Sequence, residues 1–230
     1  MSDRGGYGQF CPLSMAAEIV CTRWTALLLR EFLCGSTRFN DLRKGVPKMS
    51  PALLSKRLKE LEAAGVIRVA NTAAGGSEYV LTSMGRDLQN VVLGLGEWGH
   101  RWIESRLTLR NLDPSLLMWD MRRHLNPIPM PDRRCTIHFL YPELAEPDQR
   151  WWLVVEKGAV DLCSIDPGYD VDLLISGSLR SMTAVWMGMV PLTEEVSAGR
   201  LHLDGDRRLA RTVGDWLGLS HFAGMPRKVA

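Results

Sequence analysis

Between residues 50 and 63 the sequence reads SPALLSKRLKELEA, and its cations fall at spacings that could meet phosphate. Ser before Pro marks a helix start, because the hydroxyl can cap the first turn and Pro is tolerated at the first helical position. In a helix Leu54, Leu58 and Leu61 share one face, so Ala52, Ser55, Lys56, Lys59 and Ala63 point away from it. An outer face that is small near its start and basic along its length suits the major groove of DNA. A solvated surface helix shows the same pattern, so this helix alone does not decide the function.

The remaining chemistry-bearing residues make no catalytic set. GxSxG, HExxH, the P-loop and a strand-to-helix GxGxxG are absent. His100, His124, His138, His202 and His221 are scattered and read as surface or hydrogen-bonded residues. Cys11, Cys21, Cys34, Cys135 and Cys163 form neither a CxxC pair nor a Cys/His cluster with zinc spacing. The expectation is a protein that is not an enzyme and that needs no metal or cofactor. Cys11 stands apart, beside Pro12 at a helix start, where a thiol can be reactive. Cys21 and Cys34 read as packing residues at helix ends.

The elements that would position the basic face follow from periodicity. CPLSMAAEIV reads as a short amphipathic helix after Pro12, and RWTALLLREFLCG as a second helix stopped by Gly35. A short helix spans about Phe39 to Gly45, a turn passes through Pro47, and the helix from Ser50 ends at Gly65. VIRVAN and EYVLT read as two strands joined by the turn TAAGGS. Helix, turn, helix and β-hairpin in that order is the winged-helix plan. From Thr82 to about Leu109 one long helix is expected, with Leu88, Val91, Val92, Leu95, Trp98, Trp102 and Ile103 as an apolar stripe.

The stretch from Cys11 to Trp102 resembles the HxlR-type regulators, a MarR-related branch of the winged-helix regulators. The resemblance rests on CP at 11, RWTALLLREFLCG from 23, RFNDLRKGVP from 38, SPALLSKRLKELEAAGVI from 50 and EYVLTSMGRDL from 78. It implies a homodimer on a pseudo-palindromic operator in double-stranded DNA, with the helix from Ser50 in the major groove and the hairpin tip at the minor groove. Ser50, Ser55, Lys56, Arg57 and Lys59 are then the reading-head candidates, with Arg38 and Arg43 on phosphate. Arg57 lies near the edge of the buried face, which fits a structural or phosphate role equally well. The wing tip carries no Lys or Arg, and Arg68 is its nearest cation. In this family the long helix pairs with the N-terminal helix of the other subunit, and some members keep a reactive thiol at the position of Cys11.

The C-terminal half reads as α+β. LDPSLLMWDMRRHL starts a helix at Asp113 and Pro114, and NPIPMPD makes a linker. RCTIHFLY, RWWLVVEKG, AVDLCSI and DVDLLISG are strand-like runs, for which an antiparallel meander is the simplest arrangement. A helix in SLRSMTAVWMGM, a short TEEVSAG, a strand RLHLDG and a single helix DRRLARTVGDWLGL follow. DVDLLISGSLRSMTAVWMG and SAGRLHLDGDRRLARTV are similar to the sterol-carrier-type lipid-binding domain. That resemblance implies an antiparallel sheet covered by helices around an apolar tunnel for a fatty-acyl or sterol-like guest. The candidate ligand-binding residues are Trp119, Phe139, Trp152, Met182, Trp186, Met187, Met189, Trp216 and Phe222. Met and aromatic side chains adapt to varied guests, and they also build ordinary cores.

Bulk composition agrees with two domains, expected at 1–111 and 112–230. The chain has 230 residues, 46% hydrophobic and 23% charged, enough for two globular cores. Residues 1–111 hold 15 Lys or Arg against 10 Asp or Glu, and residues 112–230 hold 13 against 16, so the first half is the better partner for phosphate. The start shows no basic region followed by an apolar run, and no stretch nears 18 apolar residues, so a cytoplasmic protein without membrane insertion is expected. The resulting expectation is a homodimeric repressor modulated by a hydrophobic ligand. Two alternatives stay open: a redox-sensing regulator acting through Cys11, and a lipid carrier whose winged helix serves only dimerisation.

Overall fold

A computed structural model describes residues 6–72, 75–104 and 109–229. The chain folds into two compact units, residues 1–96 and 97–230, with the boundary inside a helix.

Unit one opens with α1 (Pro12–Val20), α2 (Thr25–Leu33), α3 (Phe39–Gly45) and α4 (Pro51–Ala63). The Ser50 hydroxyl accepts the Leu53 N–H at 3.3 Å, so the Ser-Pro pair caps α4 as its chemistry requires. Gly65, at φ +76°, turns the chain out of the helix in a conformation that suits glycine. The strands β1 (Ile67–Asn71) and β2 (Ser77–Leu81) then pair antiparallel, Ile67 opposite Leu81 and Asn71 opposite Ser77. The Tyr79 N–H donates to the Thr37 carbonyl at 2.8 Å, tying the hairpin to the chain just before α3. Leu28, Leu29 and Phe32 of α2 pack with Leu42, Leu54, Leu58 and Leu61 to form the core beneath α4.

Two expectations in this half change. The run after Thr82 is two helices, α5 (Ser83–Asp87) and α6 (Gln89–Trp102), with a turn at Leu88; residues 105–108 of the expected helix lie outside the described residues. Thr82 is used twice at this junction: its hydroxyl donates to the Gly65 carbonyl at 2.7 Å and accepts the Gly85 N–H at 3.1 Å. Gly85 lies so close to the Val66 carbonyl that a Cβ would overlap it, which holds α5 against the chain just before β1. Secondly, Cys21 and Cys34 follow α1 and α2 in exposed positions and do not serve as packing residues.

Unit two carries α7 (Pro114–His124), β3 (Cys135–Leu140), β4 (Arg150–Glu156), β5 (Ala159–Cys163), β6 (Leu173–Gly177), α8 (Leu179–Trp186), α9 (Leu192–Ser197), β7 (Leu201–Gly205), α10 (Arg207–Arg211) and α11 (Val213–Trp216). Asp113 caps α7 from its side chain, as the Asp-Pro pair foretells. The five strands order as β5-β4-β3-β6-β7, and β3 and β6 run parallel. The sheet is therefore mixed, which corrects the antiparallel expectation. Lys157 and Gly158, both at positive φ, close β4 and β5 into a tight hairpin. The chain then crosses to the far side of β3. There the Asp172 carboxylate accepts the Thr136 N–H at 2.8 Å and the Arg133 guanidinium at 2.6 Å, while the Asp172 N–H donates to the Thr136 carbonyl at 2.9 Å. Alternation of residue types marks strands, but these contacts choose the neighbour.

The helix expected over 206–219 is also divided, into α10 and α11, at Thr212. The Thr212 hydroxyl donates back to the Arg208 carbonyl at 2.9 Å, a bond that bends helices, and a β-branched Val and a Gly follow. One sheet face, with Ile137, Phe139, Leu153 and Ile175, packs on α7, α8 and α11 through Met118, Met182 and Trp216.

Candidate functional site

Helix α4 presents the residues that its periodicity assigns to the outside. Lys56 and Lys59 are exposed, Ser55 is half-buried, and a shallow hollow of about 440 Å³ lies among Ala52, Ser55, Lys56, Lys59, Glu60 and Ala63. Arg38 precedes α3 and Arg43 lies in its last turn, both exposed and without an ion pair among the described residues. Two reading-head candidates are already engaged. Ser50 caps the helix. Arg57 is folded along it, its guanidinium paired with Glu60 and only 14% of its side chain exposed, so it holds the edge of the buried face. At the wing tip the Thr72 hydroxyl accepts the Gly76 N–H at 3.0 Å; Ala73 and Ala74 lie outside the described residues. Arg68 is exposed on β1.

What ties α3, and so the turn into α4, to α2 is an ion pair, buried on its Glu31 side, that periodicity alone does not reveal. Glu31 is fully buried in α2, and its Oε1 receives Arg30 Nε at 3.0 Å and Arg30 Nη2 at 2.8 Å. The same Nη2 donates to the Gly45 carbonyl at 2.7 Å. Ser36 Oγ donates to Glu31 Oε2 at 3.4 Å. Gly45 lies against this carboxylate so closely that a Cβ would overlap it. The last turn of α3 is thus bonded to α2, and the turn into α4 leaves from a fixed point. The available signal was a carboxylate inside the apolar run LLLREFL, since a buried charge requires a partner.

The apolar stripe of α6 is bare. Val91, Leu95, Trp98 and Trp102 are 48–61% exposed, and Phe10, Leu13 and Met15 at the start of the chain are exposed as well. Cys11 is half-buried, and its carbonyl accepts Ser14 Oγ at 2.8 Å.

In unit two the nine ligand-binding candidates do not converge. Phe139, Met182, Trp186 and Trp216 are buried in the core, with Met187 packed against it. Trp152 lies on the opposite sheet face from Phe139, stacked on its cross-strand partner His138 with ring centroids 4.7 Å apart. Burial lowers the proton affinity of His138, Arg150 lowers it further, and Asp166 opposes them. Trp119 is buried beside Arg122 and Arg123, Met189 is half-buried, and Phe222 stacks on His100. A concave space of about 680 Å³ opens elsewhere in the unit, lined by Val185, Leu192, Val196, Leu203, Val213 and Leu217 among others, with Arg211 and Asp215 at its polar margin. None of the nine lines it. Among the described residues no cluster of His, Cys, Asp and Glu could hold a metal, and no helix is long and apolar enough to cross a membrane.

The helix-turn-helix half has counterparts among known proteins. The model of the HxlR-like helix-turn-helix family matches residues 19–107. The uncharacterized HTH-type transcriptional regulator YdeP of Bacillus subtilis (strain 168) is 36% identical over 94 residues, 40% of this chain and 73% of that protein. The uncharacterized HTH-type transcriptional regulator YvaP of the same strain is 35% identical over 99 residues, 42% of this chain and 92% of that protein. Among solved structures, the reduced form of the transcriptional regulator YodB from B. subtilis is 28% identical, covering 40% of this chain and 92% of that chain with a TM-score of 0.36. With a capped outer-basic helix behind a short positioning helix, a hairpin after it, and a relative matched at 35% identity over nearly its whole length, the chain belongs to the HxlR-like helix-turn-helix family.

Proposed function

We propose that this chain is a DNA-binding transcriptional regulator, acting as a homodimeric repressor that places α4 in the major groove of a two-fold symmetric operator. The observation that carries the reading is the outer face of α4, where Lys56 and Lys59 flank a shallow hollow floored by Ala52, Ser55 and Ala63. Small residues let the helix approach base edges, and the lysines meet phosphate or a guanine edge. Arg38, just before the preceding helix, and Arg43, in its last turn, supply phosphate contacts. The wing lends less, because its nearest cation is Arg68.

The dimer is inferred from α6. Trp98 and Trp102 are too large and too apolar to stand in water on a helix that already has another face in the core, and a second copy of the chain would cover them. The ligand is inferred from the 680 Å³ groove, whose size and apolar lining match those of small-molecule sites. A compact, mainly apolar molecule is its guest.

Replacing Lys56 and Lys59 by Ala tests the reading. A regulator loses specific DNA affinity in the double variant while keeping its fold. A carrier whose winged helix serves only dimerisation shows no specific DNA binding in either form.

A further inference from the structure

The end of the chain, residues 219–228, belongs to no helix or strand and touches two features that the fold otherwise separates. At its start, Leu219 and Ala223 form part of the groove wall. The Ser220 N–H donates to the Trp186 carbonyl at 2.9 Å, and Gly188 approaches Ala223 so closely that a Cβ would overlap its backbone. At its far end the same segment closes on the last turn of α6. His100 is buried; its Nε2 lies 3.1 Å from the Met225 carbonyl and its ring stacks on Phe222. The Lys228 N–H donates to the Arg101 carbonyl at 2.8 Å, and the Arg227 guanidinium donates to the Ile103 carbonyl. A helix ends with carbonyls that lack an intrahelical partner, and here residues 227 and 228 supply donors to one in the last turn, Arg101, and to the carbonyl just past the helix, Ile103.

We infer that residues 219–228 are a strap that carries the state of the groove to the C-terminal turn of α6, where Trp98 and Trp102 stand exposed. This rests on the proposed ligand reading of the groove and adds its route of regulation. A guest that presses on Leu219 and Ala223 shifts the strap, because Gly188 leaves the backbone no slack on the other side. Beyond its own internal turns and the Ser220 bond, the strap's hydrogen bonds among the described residues go to His100, Arg101 and Ile103, so a displacement there loosens or re-seats the helix end. The clamp is also not over-stabilised: His100 Nδ1 and Arg227 Nε are buried without a hydrogen-bond partner among the described residues, which raises the free energy of the closed form. An element that two states share must have a small gap between them.

Hydrogen exchange on the full chain, read by mass spectrometry, tests this with two perturbations. One is dansyl-undecanoate as an apolar probe. The other is Gly214→Phe, because Gly214 lines the groove and a Cβ there meets nothing within 4 Å, so the ring fills the space from within. Each should change exchange in 219–228 and, several-fold, in 97–104. The variant His100→Ala with Arg227→Ala should keep probe binding and lose the response in 97–104. Probe binding that Gly214→Phe blocks, with exchange in 97–104 unmoved, overturns the strap and leaves the groove standing. Absence of probe binding counts against the groove, while Gly214→Phe still decides the strap: unmoved exchange in 97–104 refutes it. Gly214→Leu repeats the test with a smaller filler if the Phe variant does not fold.

Discussion

Lys56 and Lys59 were legible in the sequence because a helix with Leu54, Leu58 and Leu61 inside has only one place for them. Their role sets a quantitative expectation. Replacing both by Ala should weaken operator binding more than binding to unrelated duplex and flatten the salt dependence by up to about two units of slope, one for each lysine that meets phosphate. Titrations at several salt concentrations measure it. Ser50 behaves differently because its hydroxyl is a cap: Ser50→Ala should cost about 1 kcal/mol of stability, and Ser50→Gly only a few tenths, in urea unfolding. The groove residues were not legible. Met and Trp fill cores as readily as cavities, and the space is lined instead by Val, Leu, Gly and Thr, types that no composition argument singles out. Glu195 adds a pH dependence that belongs to one residue. Its hydrogen bonds from Arg200, at 2.7 and 2.9 Å, hold its pKa below the usual 4.5, burial opposes them, and Ser181 adds to the lowering. A depressed folded pKa gives stability that is complete above the unfolded value and is lost as pH falls from about 4.5 through the folded value. Melting temperatures below that pH should fall for the native chain and fall less steeply for Glu195→Gln.

At the level of elements, the beginnings were clearer than the neighbours. Ser-Pro at 50, Asp-Pro at 113 and Gly65 punctuate their helices for local reasons, and the structure uses each of them that way. Strand pairing in unit two is not local. β6 reaches β3 through the Asp172 contacts to Thr136 and Arg133, which depend on residues 36 to 39 positions apart in sequence. The division of the last expected helix at Thr212 turned on a side-chain bond that periodicity does not encode. The most consequential meeting of two elements is Gly45 of α3 against the Glu31 carboxylate of α2. Gly45→Ala should destabilise unit one by about 1–3 kcal/mol, as overpacking does, and calorimetry would register it as a lowered melting temperature. Because α4 leaves from that turn, the variant should also lose operator affinity under conditions where it remains folded.

For the whole molecule, Lys and Arg are in excess in the first 111 residues and Asp and Glu in the remainder, and the family match covers residues 19–107, within the basic part. The exposed apolar stripe of α6 carries the proposed homodimer. Leu95→Glu with Trp98→Glu should yield a monomer in sedimentation and lower operator affinity by at least the tenfold that each about 1.4 kcal/mol of coupling represents. The central claim, that α4 reads DNA in a symmetric pair, is tested most directly by selecting bound duplexes from a random library with the purified chain and footprinting the winners. The account predicts a two-fold symmetric site whose half-sites are centred about one helical turn apart, lost from the Lys56→Ala, Lys59→Ala variant. Enrichment of no sequence, or of a site without a dyad, would contradict it.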